Sequence, residues 1–334
     1  MNVELAIEQL QQYGPIPKTL SRVIRPVFIA PPDHTTVWSD WSAIEARVLP
    51  YLAGESGEGV LDIFRTNDAD PSLPDVYKIE ASGIYNTDAN EVTKPQRQVG
   101  KVAILALGFG GGVGALSAMA TGYGIHLEEA FKHEIVGTWR ANNPWAKGFW
   151  DALNKAFYSA WDNAGTAYEA GRLVYLYDPS YLGGTMYCVM PDGTILSYSF
   201  LRREKRVEVD EDTGVETSKW VTTYSKGYEK GSIWHGILAE NPTQGFAASI
   251  LRNSLDELDR IHEDKALLWS GRQPVVGHTH DEIITQVHEK DVEEGTTILK
   301  AVMEKTPDFA VGLPLVAEVT ENWFYSKNVP EMVL

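Results

Sequence analysis

The run His34-Thr-Thr-Val-Trp-Ser-Asp40 passes directly into Trp41-Ser-Ala-Ile-Glu-Ala-Arg-Val-Leu-Pro-Tyr-Leu-Ala-Gly54. The first part is apolar and β-branched, which favours a strand. The second sets Ile44, Val48 and Leu52 on one helical stripe. A carboxylate at such a junction cannot join the core. Asp40 is therefore either a local capping group or a ligand for something held at the end of the strand. Ser42 and Glu45 have the spacing of a capping box, a reading of Glu45 that is compatible with a functional one. Pro50 falls inside the helical pattern and predicts a kink or an early end.

The chain has 334 residues, enough for a sizeable core and two or three lobes. Apolar residues make up 43% and charged residues 22%, a globular balance. The acidic, amphipathic start MNVELAIEQLQQYG is unlike a signal peptide. No apolar run approaches the length of a membrane span, so none is expected, and the reading is cytoplasmic. Cys188 is the single cysteine, which excludes an internal disulfide and a cysteine-based zinc site and suits a reducing compartment. A net charge of −17 argues against a surface that binds nucleic acid everywhere, while leaving room for a local basic cleft.

Periodicity predicts a helix over 3–13, then a Pro-rich approach, YGPIPKTLSRVIRPVFIAPPD, carrying Arg22 and Arg25. A strand follows at TTVWSD, and helices over 43–53 and 75–85. Residues 94–160 read as mostly helical, interrupted by GFGGGVG and GYG. Between Arg172 and Trp234 the pattern changes to short alternating runs. TMYCVMPDGTILSYSF has a Pro-Asp-Gly turn signal, and KRVEVDEDTGVETSKWVTTY reads as a second hairpin, acidic at its tip. Residues 242–263 and 290–305 read as helices, with PVVGHTHDEIITQV between them as two strand-like runs around a polar turn.

Three segments carry chemistry: DWSAIEARV, TKPQRQVGKVAILALGFGG and HTHDEIITQV. Thr93 to Gln96 is a capping box with Pro95 in the first turn, so a helix starts there. Arg97, Lys101, Leu105 and Phe109 then recur every four residues along one stripe that drifts slowly around the axis. Two cations followed by two bulky apolar groups suit a polyphosphate joined to a flat ring. Arginine grips phosphate in a fork, and lysine acts as a point charge. The same pattern also suits a solvated helix edge. In His280-Asp281-Glu282, adjacent carboxylates beside β-branched runs repel, and a divalent cation relieves that. His278 and His280 are placed on one strand face, but no further spaced ligands support zinc.

In order, a strand-end Asp, a helix with R-x-x-x-K and a strand-turn HDE resemble motifs A, B and C of the family A, polymerase I-type DNA polymerases, in a phage-like form. The resemblance runs over roughly residues 20–325 and includes AENPTQGFAASIL, similar to the helix whose Gln approaches the primer–template. It implies an α+β fold: a right-hand palm with an antiparallel sheet, plus helical fingers. The implied parts are an N-terminal helix and approach segment (1–37), palm with motif A (38–75), fingers with motif B (76–170), and palm with a hairpin insertion and motif C (171–334). The implied activity is template-directed addition of deoxynucleotides to a primer 3′-hydroxyl by a two-metal mechanism.

By the same resemblance Asp40, Asp281 and the Trp41 carbonyl hold two Mg²⁺, for which Mn²⁺ can substitute, with Ser42 and Glu282 in support. Arg97 and Lys101 bind the triphosphate, and Lys101 also serves catalysis by protonating pyrophosphate. Leu105, Phe109 and Tyr77 complete the nucleotide contacts, and Glu45 is a steric gate against ribonucleotides. Arg25, Gln244 and His280 touch DNA.

The sequence departs from the family pattern at several positions. Leu105 stands where relatives carry Phe or Tyr, and Phe109 and Trp41 where they carry Tyr. Ala43 replaces a frequent Gln, and Thr279 a Val. The thumb stretches T-G-R-x-S and Q-N-x-P are not found, nor is an exonuclease domain. With the acidic charge, this leads to the expectation of one half of a split polymerase, whose second polypeptide supplies the thumb and, as a further option, the exonuclease. Two alternatives are a fragment of a single-subunit phage-type RNA polymerase, disfavoured by Glu45 and Glu282, and a non-catalytic palm-like subunit, disfavoured by the complete set of metal and triphosphate residues.

Overall fold

The computed structural model describes residues 3–209, 216–264 and 275–326. In chain order its helices are α1 (Val3–Gln11), α2 (Ile16–Ile24), α3 (Ile44–Leu52), α4 (Glu58–Ala69), α5 (Val76–Tyr85), α6 (Lys94–Leu107), α7 (Val113–Gly122), α8 (Glu129–Asn142), α9 (Pro144–Asp162), α10 (His235–Asp264) and α11 (Val292–Glu304). The strands are β1 (His34–Trp41), β2 (Tyr168–Ala170), β3 (Leu173–Asp178), β4 (Thr185–Val189), β5 (Ile195–Tyr198), β6 (Arg202–Val209), β7 (Glu216–Lys226), β8 (Glu229–Ile233), β9 (Val275–Thr279), β10 (Glu282–His288) and β11 (Ala317–Asn322). The chain divides into two compact units. Unit 1 takes 1–42, 250–305 and 315–334, and unit 2 takes 43–249 and 306–314.

Unit 1 is built on an antiparallel sheet in the order β11-β1-β10-β9. The central strands β1 and β10 are buried along most of their length, which is why they read as nearly continuous apolar and β-branched runs. The edge strands β9 and β11 are largely exposed and more polar. On one side Trp38 packs edge-on against Tyr325, with ring centroids 5.4 Å apart, and joins Ile284 in a small buried cluster. Trp41 is also buried, and its indole N–H donates to the Met303 carbonyl at 2.6 Å, tying the end of β1 to α11.

Unit 2 holds α3 to α9, the four-stranded sheet β2-β3-β4-β5 and the three-stranded sheet β6-β7-β8. Its helices pack through Phe64, Val76 and Tyr77, with Ala43, Ala46, Val60, Ile63 and Ile104 against them. Arg47 is buried here. It is satisfied by a forked pair with Asp68, at 2.5 and 2.8 Å, while its guanidinium lies 4.3 Å from the centre of the Phe64 ring. Helices α5 and α6 approach closely at Gly100. A Cβ there would overlap the Tyr77 carbonyl oxygen and lie 3.0 Å from the Ala81 nitrogen.

Several sequence expectations change in the structure. The Pro-rich approach folds as α2, because Pro15 and Pro17 sit at its start, where a missing N–H is harmless. The helix expected from 242 begins at His235 and accommodates Pro242 internally. Ser42 does not cap α3. The N-cap is Ala43 in the left-handed region at φ 56°, with no side-chain cap, so the expected Ser42–Glu45 capping box is absent. Thr93 and Gln96 do form theirs, with Gln96 Oε1 accepting from the Thr93 N–H at 2.9 Å. Helix α6 stops at Leu107, so Phe109 lies in the turn beyond it rather than on its stripe. The acidic hairpin tip at 210–215 lies outside the described residues.

Two predictions follow from the packing of α5. Gly100→Ala improves helix propensity yet forces α6 away from the α5 backbone, and should lower stability by about 1–3 kcal/mol in chemical denaturation. The second concerns Glu80, which is only 7% exposed. One of its oxygens accepts from the Asn143 amide at 2.9 Å, and the other has no partner among the described residues. Burial pushes its carboxyl up from 4.5 to about 7, against the opposing effect of the Asn143 bond. The folded state thus holds this proton more tightly than the unfolded chain. That stabilising contribution is complete below 4.5 and is lost as pH rises through about 7. Glu80→Gln keeps the acceptor without the charge. Its melting temperature should therefore fall less than the wild type's between about pH 5 and pH 8, with a difference of up to about 3 kcal/mol at the upper end.

Candidate active site

The chemistry-bearing residues fall into one group in each unit. In unit 1 the determining feature is the register of β1 against β10, which sets Asp40 opposite Glu282. One step along, the Trp41 N–H donates to the Asp281 carbonyl at 3.1 Å. Asp40 at the end of β1 and Asp281 just before β10 are thereby brought together from opposite ends of the sequence. Both are partly accessible, while Glu282 is fully buried. On its other side Asp40 lies opposite Glu318 of β11. Sequence reading missed this neighbour because β11 was not anticipated.

Glu318, Asp40 and Glu282 thus share one row across three strands, with Asp281 adjacent. Directly opposed like charges destabilise a sheet, and a bound cation relieves them. Among the described residues, however, no three His, Cys, Asp or Glu side chains converge closely enough to hold a metal ion as they stand. His278 and His280 do not share a strand face. Strand β9 ends at Thr279, and His280 sits in the turn with φ 41°. Arg25 lies in unit 1 with its guanidinium 5.5 Å from the centre of the Tyr325 ring, and His280 is exposed.

In unit 2, Arg97 and Lys101 converge on Tyr77. The Arg97 guanidinium is 5.1 Å and the Lys101 ammonium 5.7 Å from the centre of its ring. Lys101 is also 5.9 Å from the ring of Tyr123, which the sequence did not single out. Burial pushes the Tyr77 phenol up to about 12, so it stays protonated and serves as a neutral platform. Arg97 is aimed by Asp75, which accepts from its Nε at 2.7 Å and its Nη2 at 2.6 Å. Asp75 also caps α5, accepting from the Lys78 N–H at 2.8 Å. Asp75 thus occupies the Nε–Nη2 edge of the guanidinium.

Glu45 and Gln244 are 199 residues apart in sequence, yet Gln244 Nε2 donates to Glu45 Oε1 at 3.4 Å. The capping function once open to Glu45 is thus replaced by a long-range contact. Glu45, Leu105 and Phe109 also share the wall of a cavity of about 570 Å³ within unit 2, whose deeper lining includes Glu80, Trp139 and Asn143. Cys188 is buried, with its thiol pushed up to about 12 by burial, which rules it out as a nucleophile at neutral pH.

The chain is similar in sequence and in fold to known proteins. Residues 9–155 match the model for DNA polymerase family A. The DNA polymerase of Bacillus phage SP02 is 32% identical over 333 residues, an alignment that takes in 97% of this chain and 46% of that protein. DNA polymerase I of Chloroflexus aurantiacus is 23% identical over 310 residues, or 92% of this chain and 26% of that protein. In structure, the POL domain of Pol1 from M. smegmatis, solved in complex with DNA primer-template and dNTP, superposes with a TM-score of 0.54 at 17% identity. That match takes in 94% of this chain and 44% of that one, and supports an α+β polymerase fold. The chain spans about half the length of the phage relative and about a quarter of the bacterial one. In sequence the chain is similar to these DNA polymerases, and in fold to a solved polymerase domain.

Proposed function

We propose that the chain adds deoxynucleotides to a primer 3′-hydroxyl under the direction of a DNA template. The observation that carries this reading is the pairing of β1 with β10, which brings the Asp40 and Asp281 positions together on a rigid sheet. Asp40, Asp281 and the Trp41 carbonyl would hold two Mg²⁺, or Mn²⁺ in their place. Such ions, when bound, lower the pKa of the attacking hydroxyl and stabilise charge on the transferred phosphoryl group and the leaving pyrophosphate. Glu282, buried beside them, supports the row, and Ser42 follows the turn out of β1.

The chain's own cations do the rest. Arg97, fixed by Asp75 against Tyr77, offers its outer N–H groups to the triphosphate. Lys101, one turn further along α6, adds a compact charge and donates a proton to the departing pyrophosphate. Leu105 and Phe109 give apolar surface to the sugar and base. Glu45, held by Gln244, crowds a 2′-hydroxyl and so favours deoxynucleotides. Arg25, Gln244 and His280 serve the DNA.

A second polypeptide remains part of this reading. Its support is the net charge of −17 and the apolar surface that α2 and the following turn expose at Val23, Ile24, Val27 and Phe28. A basic partner carrying a thumb would cover that surface and supply the phosphate grip.

Primer extension tests the reading. Asp40→Ala and Asp281→Ala should each abolish nucleotide addition, by about a thousandfold or more, while circular dichroism and melting stay near wild type. Near-normal extension by either variant would overturn the assignment. Glu45→Ala should raise ribonucleotide incorporation relative to deoxynucleotides. Because no capping box is present, its melting temperature should change little. Unchanged sugar discrimination in that variant would remove Glu45 from the role of gate.

A further inference from the structure

The sheet β6-β7-β8 takes no part in the chemistry above, yet it carries an unusual surface. Side chains alternate across a strand, so Arg203, Lys205 and Val207 of β6 share a face with Thr222 and Trp220 of β7. The register pairs Arg203 with Thr222 and Lys205 directly with Trp220. At one end this face is anchored to α9. The Tyr158 hydroxyl and Thr222 Oγ1 are 3.0 Å apart, and the Arg203 guanidinium lies 5.8 Å from the ring centres of both Tyr158 and Trp161. Those two rings are nearly parallel, at 11°, with centroids 6.3 Å apart. Beyond the anchor the face is open among the described residues. Trp220 is 68% exposed and Val207 55%, while Arg203 and Lys205 are also exposed.

A tryptophan so exposed in a regular strand, opposite a lysine, is poorly placed for stability and well placed for a partner. Aromatic rings interleaved with cations along one strip are what an unpaired nucleic-acid strand requires. Its bases stack on the rings, and its phosphates meet the cations. Duplex DNA hides its base faces within its own stack, so the rings would have nothing to take from it. The strip's charge also contrasts with the chain's net charge of −17, so attraction of a polyanion is confined to such local patches. Of the nearby acids, Glu204 lies on the opposite face, paired with Lys230 at 2.6 Å, while Glu216, opposite Val209, is exposed on the strip's own face two pairs beyond Trp220. The acids at 210–212 lie outside the described residues.

We propose that the strip formed by Tyr158, Trp161, Arg203, Lys205 and Trp220 binds single-stranded DNA, namely the unpaired template. The inference deepens the polymerase reading and rests on it for the identity of that strand. Binding itself is measured without nucleotides, by fluorescence anisotropy of a labelled oligothymidylate with the full chain at two salt concentrations. Wild type should bind the single strand more tightly than a duplex of equal length, and more weakly as salt rises. Trp220→Ala and Lys205→Glu should each weaken single-strand binding about fivefold or more. They should leave the melting temperature, and single-nucleotide addition on a template with a one-base overhang, near wild type. The proposal is overturned if wild type prefers the duplex or binds neither, if either variant binds as wild type does, or if single-nucleotide addition falls in step with binding. Failure of the polymerase reading is separate: it appears as absent nucleotide addition by wild type, whatever the oligothymidylate affinity.

Discussion

The pairing of β1 with β10 is the constraint on which the carboxylate group depends. Because side chains alternate in a strand, a slip of one residue would move Asp40 to the opposite face and carry Trp38 out of its contact with Tyr325. The register is held because both strands are buried along most of their length, and a slip would expose apolar surface on both. The same packing that stabilises the sheet therefore fixes where the acids stand. Asp40, Glu282 and Glu318 are thereby lined up across three strands of an otherwise apolar framework.

The cationic group depends on a different kind of contact, the close approach of α5 and α6. Gly100 lets the two backbones meet, and Tyr77 then lies under both Arg97 and Lys101. Asp75 links local and tertiary structure, since one carboxylate oxygen starts α5 and the other aims Arg97. A free arginine side chain would sample many rotamers, and losing that freedom opposes binding. Asp75 holds the guanidinium in place beforehand and removes part of that loss.

Sequence reading recovered the elements whose signals are short-range. The helix at 94 was legible because Thr93, Pro95 and Gln96 write its start within four residues. The strands on either side of His280 were legible from their β-branched runs and the polar turn between them. Local signals misled where the chain had more than one local option. Ser42 and Glu45 have capping spacing, yet the turn out of β1 puts Ala43 in the left-handed region and sends Glu45 to Gln244 instead. Phe109 keeps the four-residue step, yet α6 ends before it. Helix α2 and strand β11 were missed because their sequences carry prolines in the one case and acidic, exposed positions in the other.

The sequence alone thus determined which residue types are present and which secondary elements carry them: acids at strand ends, and cations one turn apart on a capped helix. These depend on backbone preferences and hydrogen bonds within a few residues, and so can be read from a short window. Only the tertiary structure decided which of them meet. The opposition of Asp40 with Glu282 and Glu318, the aiming of Arg97 by Asp75, the raised carboxyl of Glu80 and the open face around Trp220 all join residues far apart in the chain or depend on burial. Such contacts are set by how buried surfaces fit together, and no local pattern specifies that fit.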